Sequence, residues 1–328
     1  MTAGAGREDA GRVDERAGGA ERAECASDAL QLEALLVARA HLYTLFHKLT
    51  GGVPDEAVLG ALLSEATADV VEELAQGSDV LAGFAAFLAD MRARCCGAGD
   101  GSGAAGAVGA ADAAASPSAP AHLGATAAAE LLDAARDEYV RVFVGPGALP
   151  ASPYESPYTG AHDAALFQAN TLAVRAAYRE QGFSLRRVQA VPDDHVSALC
   201  AFMAQLAGRS LAAFRARRAD DLARQLRAQE AFASAHLTPW LGVYAKSVRN
   251  SKAGARAVLY PQLLEALAAF AQVDVVLLEE SAFWAESGAL PAEAAGGFEQ
   301  LAAANDALAA LATLRPFGIV DNEIVPLN

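Results

Sequence analysis

Apolar residues recur through most of the chain at the three- and four-residue spacing of one α-helix face. Alanine and leucine dominate these segments, and runs of β-branched or aromatic residues at period two are scarce. Both residues are strong helix formers, so the pattern predicts an all-α fold. The predicted helices cover residues 27–49, 54–76, 79–95, 127–144, 163–181, 193–218, 220–247, 260–286 and 298–314.

The two ends of the chain lack this periodicity. Residues 1–26 are glycine, alanine and charged residues without an apolar stripe, and we expect a disordered tail. Ser27 and Asp28 offer N-caps for the first helix. We expect a single helical-bundle domain over residues 27–290, followed by a C-terminal helix and extended tail over 291–328.

Residues 97–126 interrupt the helical pattern with a low-complexity stretch rich in glycine, alanine and proline. Such a composition predicts a flexible linker. A long loop inserted between two helices of one domain costs little, because loop-closure entropy grows only with the logarithm of length. The other interpretation is a domain boundary, with residues 27–96 folding separately.

The chain of 328 residues has a formal net charge of −15. Its length supplies enough apolar residues for a substantial core. The acidic balance argues against general nucleic-acid binding, which requires a basic surface. It favours solubility or, alternatively, encounters with cationic partners such as basic peptides.

The sequence also bears on location. The first 24 residues have no apolar core of a secretory signal, and no apolar run approaches the ~18 residues of a membrane span. The four cysteines show no C-x-x-C spacing or disulfide framework. We expect a cytoplasmic protein without stable membrane insertion, as a monomer or homodimer.

Catalytic and metal-binding patterns are scarce. The six histidines include no pair four residues apart, and none follows an acidic residue at the spacing of di-iron bundles. The sequence has no phosphate-binding loop and no nucleophile elbow, and no G-x-G-x-x-G run follows a predicted strand. We therefore expect no enzyme, no metal site and no cofactor.

Residues 138–158, EYVRVFVGPGALPASPYESPY, form the most informative segment. A helix with Tyr139, Val142 and Phe143 on one face ends at Gly145-Pro146-Gly147, and a proline-rich loop follows. Proline denies this loop a helix or a central strand, so we expect a rigid connector. Its exposed residues would be Tyr154, Glu155, Ser156 and Tyr158. Rigid aromatic loops suit binding, although these tyrosines could instead complete the core.

Two further segments downstream hold residues that could take part in recognition. In the first, Pro192-Asp193-Asp194-His195 precedes an apolar stripe that includes Leu199 and Met203. Carboxylates at a helix start are commonly caps, so Asp194 is either a cap or a recognition residue. The second segment consists of Phe232, His236, Leu237, Pro239, Trp240 and Leu241. In it we expect Trp240 to anchor the core and His236 to form a hydrogen bond with a neighbouring helix.

These three segments, in this order, resemble the signature motifs of the TorD/DmsD family of redox-enzyme maturation chaperones. The motifs span about residues 136–245, and weaker helical similarity extends to about 30–285. Gly145 and Pro146, with His236 and Trp240, match structural positions of the motifs. The sequence departs from the family at Ala198, where glutamate is common, which points to a different surface charge and client.

The resemblance implies an all-helical chaperone for a molybdopterin-containing oxidoreductase of the dimethyl-sulfoxide-reductase type. Such a chaperone binds the client's twin-arginine leader or its apoprotein and delays export until the cofactor is inserted. An apolar cleft would take the leader's hydrophobic region while acidic groups meet its arginines. In this interpretation Glu155 and Asp194 are the acidic contacts. The expected leader-binding residues are Tyr154, Glu155, Ser156, Tyr158, Pro192, Asp194 and His195.

Two alternatives remain. The client could be a leaderless cytoplasmic subunit of the nitrate-reductase type, which a leader-binding assay would distinguish. The protein could also be a weak nucleotide-hydrolysing enzyme, although the sequence offers no phosphate loop.

Overall fold

A computed structural model describes residues 8–96, 125–145, 148–159, 164–188, 190–287 and 301–327. In 8–27 and 164–168, and at residues 96 and 125, only the backbone is described. The predicted all-α fold is confirmed. The helices are α1 (Glu8–Gly51), α2 (Glu56–Leu62), α3 (Glu65–Ala75), α4 (Asp79–Cys96), α5 (Ala125–Tyr139), α6 (Ser156–Thr159), α7 (Ala164–Glu180), α8 (Val196–Arg215), α9 (Ala219–His236), α10 (Leu241–Arg249), α11 (Tyr260–Glu286) and α12 (Ala302–Thr313).

The centre of the fold is a group of long helices that pack against one another. Helix α1 packs along α8, α9 packs against both α8 and α11, and α10 packs against α11. Helix α12 packs on α1 and buries Leu311. The flanking helices α4 and α5 contact each other and α11, so helices from both sides of residues 97–124 share one core. The predicted linker itself lies almost wholly outside the described residues.

Several helix boundaries differ from the predicted ones. Helix α1 begins at Glu8, whereas the sequence placed the start near Ser27. Alanine and charged residues propagate a helix readily once a nucleus exists, even without an apolar stripe. The predicted helix over 54–76 is two helices, because Ser64 caps α3 by accepting the Thr67 amide at 3.2 Å. Likewise, 220–247 is interrupted between α9 and α10, where Pro239 lies.

A small antiparallel sheet fixes the C-terminal segment. Strand β1 (Phe183–Leu185) pairs with β2 (Ile324–Pro326), with Ser184 opposite Val325. The tail was expected to be extended, and this pairing supplies the partner that the sequence did not reveal. Phe183, Leu185 and Ile324 are buried, so the sheet closes one end of the core.

A charged pair lies at the centre of the core. The Arg39 guanidinium pairs with Asp274, which also accepts the Tyr43 hydroxyl at 2.7 Å. Arg39 donates to Gln229 Oε1 at 2.8 Å as well. All four residues are buried, so this network ties α1 to α9 and α11. Losing one partner would leave an uncompensated buried charge.

Glu138 joins α5 to the start of α11. Its carboxylate accepts the backbone amides of Val258, Leu259 and Tyr260 at 2.9, 3.1 and 2.6 Å. The Tyr260 amide is one of the N–H donors at the start of a helix that have no intrahelical partner, and the other two amides directly precede it. Burial nevertheless raises the pKa of Glu138, against the opposing effect of the three amides. The glutamate that begins the EYVRVF segment therefore caps a helix 120 residues away in sequence.

Two helices, α8 and α11, are long and apolar enough to cross a membrane by length and composition. Their apolar windows are 72% and 50% buried within the fold. A core helix passes the same test, and α8 in particular is enclosed by α1 and α9. The sequence has no unbroken apolar run of the ~18 residues that a membrane span requires, whereas α8 and α11 reach that length only when their interspersed polar residues are included.

Candidate functional site

The three motif segments meet at one place in the structure. The loop before α6 runs beside the residues that precede α8, where Tyr154 and His195 form an antiparallel β-bridge. The Glu155 amide donates to the Asp194 carbonyl at 3.1 Å, and the Val196 amide donates to the Pro153 carbonyl at 2.9 Å. Segments about 40 residues apart are thus joined through their backbones. The predicted rigid loop is held by this pairing.

The proline-rich loop is not free of helix, contrary to the sequence-based expectation. Residues Ser156–Thr159 form the single turn α6, with Pro157 at its second position. Proline is tolerated there because the first amides of a helix have no intrahelical partner. At the start of the loop, Gly145 has φ +53°, a conformation that favours glycine, and it ends the π-helical turn Val140–Val144. Pro146 lies outside the described residues.

Asp194 is buried, with a relative exposure of 1%, and its carboxylate is occupied. It accepts the Ser156 amide at 3.0 Å, the Ser156 hydroxyl, and the Thr171 hydroxyl at 3.3 Å. In the described state the Asp194 carboxylate faces these donors, and its contact with a leader arginine stays a prediction. Asp194 holds α6 against α7, which a buried carboxylate does well when several donors surround it.

His195, rather than an aspartate, is the N-cap of α8. Its Nδ1 accepts the Ser197 amide at 3.1 Å, and its backbone is extended as N-caps require. Burial lowers the pKa of His195 to about 4, which keeps the ring neutral and able to accept this bond. The Tyr154 ring meets it edge-on at 5.1 Å between centroids.

Glu155 is also turned inward. Its Oε2 lies 3.0 Å from Nδ1 of His236, at the end of α9, and its side chain is 3% exposed. Burial raises the pKa of Glu155, and the bond to His236 opposes that shift. The expected bond from His236 to a neighbouring element is present, but its partner is this loop carboxylate rather than a helix. Glu155 is buried in the described state, and its role as an acidic contact for the leader stays a prediction.

Trp240 anchors the core between α9 and α10, as expected. It is fully buried, and its indole N–H donates to the His236 carbonyl at 2.7 Å. The Tyr158 ring stacks on it at 5.4 Å, while the Tyr158 hydroxyl donates to the Ser152 carbonyl at 2.8 Å. Tyr158 is therefore partly a core residue, which was the alternative that the sequence left open.

A cavity of about 580 Å³ opens beside this joined unit. Its volume lies within the range of sites that enclose small ligands or side chains. Of the residues that the sequence predicts to bind a leader, four line the cavity, namely Tyr154, Ser156, Pro192 and Asp194. Glu155, Tyr158 and His195 do not line it. The full lining is Ser152, Tyr154, Ser156, Pro157, Thr171, Leu172, Arg175, Val191, Pro192, Asp193 and Asp194.

The lining of this cavity includes residues of α7 that the motifs do not contain. Leu172 is 55% exposed, and the Arg175 guanidinium pairs with Asp193, with Nε 3.1 Å from Oδ2. Thr171 and Arg175 are four residues apart and so share a helix face. This spacing is the one feature of the sequence that could have indicated a functional face on α7. The sequence alone does not show that this face contacts Asp193 and Asp194. Within the described ranges, no group of three or more His, Cys, Asp or Glu residues could hold a metal ion.

Comparison with known proteins bears on this arrangement. Residues 109–246 match the family described as Nitrate reductase delta subunit. A segment of 67 residues is 40% identical to the Tat proofreading chaperone DmsD of Salmonella typhi. That segment covers 20% of this chain and 32% of DmsD. No solved structure matches the chain.

The family match covers the proline-rich loop, α7, α8 and α9, which are the elements that build the joined unit and its cavity. Together with the similarity to DmsD, it supports the resemblance that the three motifs predicted. Both matches thereby support the similarity of this part of the chain to the TorD/DmsD family of redox-enzyme maturation chaperones.

Proposed function

We propose that the chain is a chaperone for a molybdopterin-containing oxidoreductase and that it binds the client's twin-arginine leader, or its apoprotein, in the cavity beside α7. The observation that supports this most is that the three motif segments contact one another and that two of them, the proline-rich loop and the segment before α8, line one cavity. Binding before export would take place in the cytoplasm, and the role requires no catalytic turnover.

The lining of the cavity fits an apolar peptide segment with a cationic flank. Leu172, Val191, Pro157 and Pro192 supply apolar surface, and Tyr154 adds an aromatic ring. Asp193 and Asp194 carry two negative charges against one positive charge on Arg175, which leaves the lining acidic. Recognition sites for peptides commonly combine an apolar groove with a few oriented polar groups.

The wall of the cavity is held in place before any ligand arrives. Asp194 fixes Ser156, His236 contacts Glu155, and Tyr154 is paired with His195. A preorganised surface loses little conformational entropy on binding, so more of the contact energy appears as affinity. In this proposal, Glu155, Asp194 and His195 position the binding surface, while Tyr154, Leu172 and Pro192 contact the client.

Calorimetric titration tests this proposal, using a synthetic twin-arginine leader peptide of an oxidoreductase of the dimethyl-sulfoxide-reductase type. Leu172→Glu places a charge on the apolar wall and should weaken binding at least about tenfold. Val80→Glu is the matched control, since Val80 is 49% exposed on α4 and lies outside the cavity. Equal affinity for the wild-type chain and Leu172→Glu would refute this location.

The family match favours a second candidate, in which the client is a leaderless subunit of the nitrate-reductase type, because the matching family carries that description. Here the purified apo-subunit would bind and the leader peptide would not. Titrating both ligands into the same preparation separates the two clients. Leu172→Glu would weaken whichever ligand uses the cavity.

A further inference from the structure

The cavity beside α7 contains an ion pair to which the proposed function gives no role. Arg175 of α7 faces Asp193, and both residues line the cavity. Nε of Arg175 lies 3.2 Å from Oδ1 and 3.1 Å from Oδ2 of Asp193, and a terminal N–H₂ group of the guanidinium also donates to Oδ2. The guanidinium thus presents two donor groups to one carboxylate, which is the pattern of the strong charge-assisted pairs.

The two members of the pair differ in how firmly they are held. The Asp193 side chain is 4% exposed, and the Asp193 carbonyl accepts the Tyr178 hydroxyl at 2.9 Å, which fixes the backbone of this residue against α7. The Arg175 side chain is 25% exposed and reaches Asp193 on a long stem with several rotatable bonds. Release of such a side chain into solvent restores rotamer freedom. The carboxylate is therefore the fixed member, and the guanidinium is the member that can move.

Arg175 is replaceable as the partner of Asp193, because nothing else satisfies this carboxylate. Among the described residues, the Asp193 carboxylate bonds only to Arg175, whereas Asp194 accepts Ser156 and Thr171. When Arg175 swings into solvent, the wall of the cavity keeps a carboxylate without a cation, and such a group strongly favours a new one.

Apolar surface lies directly beside this carboxylate. Leu172 is three residues before Arg175, so the two side chains share a face of α7, and Leu172 is 55% exposed on the cavity wall. A polypeptide that places an arginine at Asp193 therefore has apolar surface within reach for the residues that follow.

We propose that Asp193 is the subsite for an arginine side chain of the client, and that Arg175 occupies this subsite in the unliganded protein as an internal competitor. The inference rests on the proposed function, since the arginine arrives on a polypeptide bound in the same cavity. A guanidinium can reproduce both contacts that Arg175 makes, whereas an ammonium is a point charge without the planar fork.

The internal competitor determines which ligands the cavity retains. The client's arginine must displace Arg175, so one guanidinium replaces another and the bonds to Asp193 stay equal in number. The arginine therefore adds little net affinity in the wild type, and the apolar segment beside Leu172 must supply most of it. A basic peptide without an apolar segment is rejected, because Arg175 already holds the acidic subsite.

Chemical rescue tests the subsite without any leader. Arg175→Ala leaves the Asp193 carboxylate unpaired, so methylguanidinium at about 20 mM should raise the melting temperature of this variant by about 1–2 °C relative to the wild type. Methylammonium should have a smaller effect, and Arg175→Ala/Asp193→Asn should respond to neither ion. Equal responses of Arg175→Ala and the double variant overturn the subsite. If Arg175→Ala does not fold, Arg175→Gln, which keeps a neutral N–H donor, takes its place.

Calorimetric titration of the leader tests the competition. A twin-arginine leader peptide and a version with lysine in place of both arginines are titrated into each protein. The wild type should bind the two peptides within about threefold of each other. Arg175→Ala should bind the twin-arginine peptide at least about tenfold more tightly than the wild type does, and should gain about threefold or less for the lysine version. Arg179→Ala removes an exposed cation from the same helix and should leave the ratio between the peptides unchanged.

The outcomes separate this inference from the proposed function. If the leader binds the wild type, and Arg175→Ala weakens binding, leaves it unchanged or strengthens it equally for both peptides, the competitor role is wrong while leader binding stands. If neither peptide binds any of the proteins, leader binding itself is refuted. In that case rescue by methylguanidinium still supports an arginine subsite at Asp193, and a lack of rescue overturns it.

Discussion

The Glu155 carboxylate lies 3.0 Å from Nδ1 of His236, across 81 residues of sequence. This contact joins the proline-rich loop to the end of α9, just before the Trp240 anchor. The neighbouring contact from Ser156 to Asp194 joins the same loop to the start of α8. Glu155 and Ser156 are adjacent, so two consecutive side chains connect all three motifs and fix the wall of the cavity.

Asp194→Asn tests the positioning role of that carboxylate. Asparagine keeps one acceptor oxygen but turns an N–H₂ group toward donors, so the Ser156 or Thr171 bond is lost. We expect the free energy of unfolding to fall by about 1–3 kcal/mol, with weaker leader binding because the loop is released. Chemical denaturation and calorimetry measure the two effects. Asp306→Asn, which removes an exposed carboxylate on α12, should change neither. Weakened binding with unchanged stability would instead support direct contact between Asp194 and the client.

The two loop tyrosines should differ in effect. Tyr154 lines the cavity, so Tyr154→Ala should lower leader affinity about tenfold while costing less in stability. Tyr158 stacks on Trp240, so Tyr158→Ala should lower the free energy of unfolding by about 2 kcal/mol. Each variant needs a melting curve and a titration at a temperature where it is folded. If Tyr158→Ala lowered leader affinity and Tyr154→Ala lowered stability instead, Tyr158 would be the tyrosine that contacts the leader.

How much of this arrangement the sequence predicts depends on the range of the contacts. The stripe of Tyr139, Val142 and Phe143 is local, and all three residues are buried as expected. Trp240 is likewise buried, as its local sequence predicts. The inward orientation of Asp194 depends on Ser156, 38 residues away, and no spacing within either segment encodes that meeting. Leu172 and Arg175 were missed for the same reason, since only the packing of α7 beside the loop gives their helix face a function.

His195→Asn tests the buried neutral histidine. Because its folded pKa, about 4, lies below the ordinary value near 6.5, wild-type stability is fully present above pH 6.5 and is lost as pH falls toward 4. Asparagine retains the capping acceptor and does not titrate. Between pH 7.5 and pH 5, the wild type should therefore lose about 2 kcal/mol more stability than the variant. Denaturation series at both pH values measure this difference, and parallel losses in the two proteins would show that His195 does not contribute to acid sensitivity.

Arg39→Met tests the buried pair that ties α1 to α11. It leaves the Asp274 carboxylate without its cation, so we expect a loss of about 3–5 kcal/mol in the free energy of unfolding. The double variant Arg39→Met/Asp274→Leu removes both charges and should recover much of that loss. Urea denaturation of the two variants and the wild type completes the comparison. A single variant as stable as the wild type would mean that the pair is not an anchor of the core.

Site-specific photocrosslinking tests the central claim most directly. A benzophenone side chain replaces Leu172 on the cavity wall or, as a control, Val80 on α4. Each protein is irradiated with the same twin-arginine leader peptide that the titration uses, and the adducts are mapped by mass spectrometry. The proposed site predicts a crosslink from position 172 to the hydrophobic region of the leader, suppressed by excess unlabelled peptide, and none from position 80. Specific binding by calorimetry with no crosslink at 172, or equal crosslinking at both positions, would contradict it.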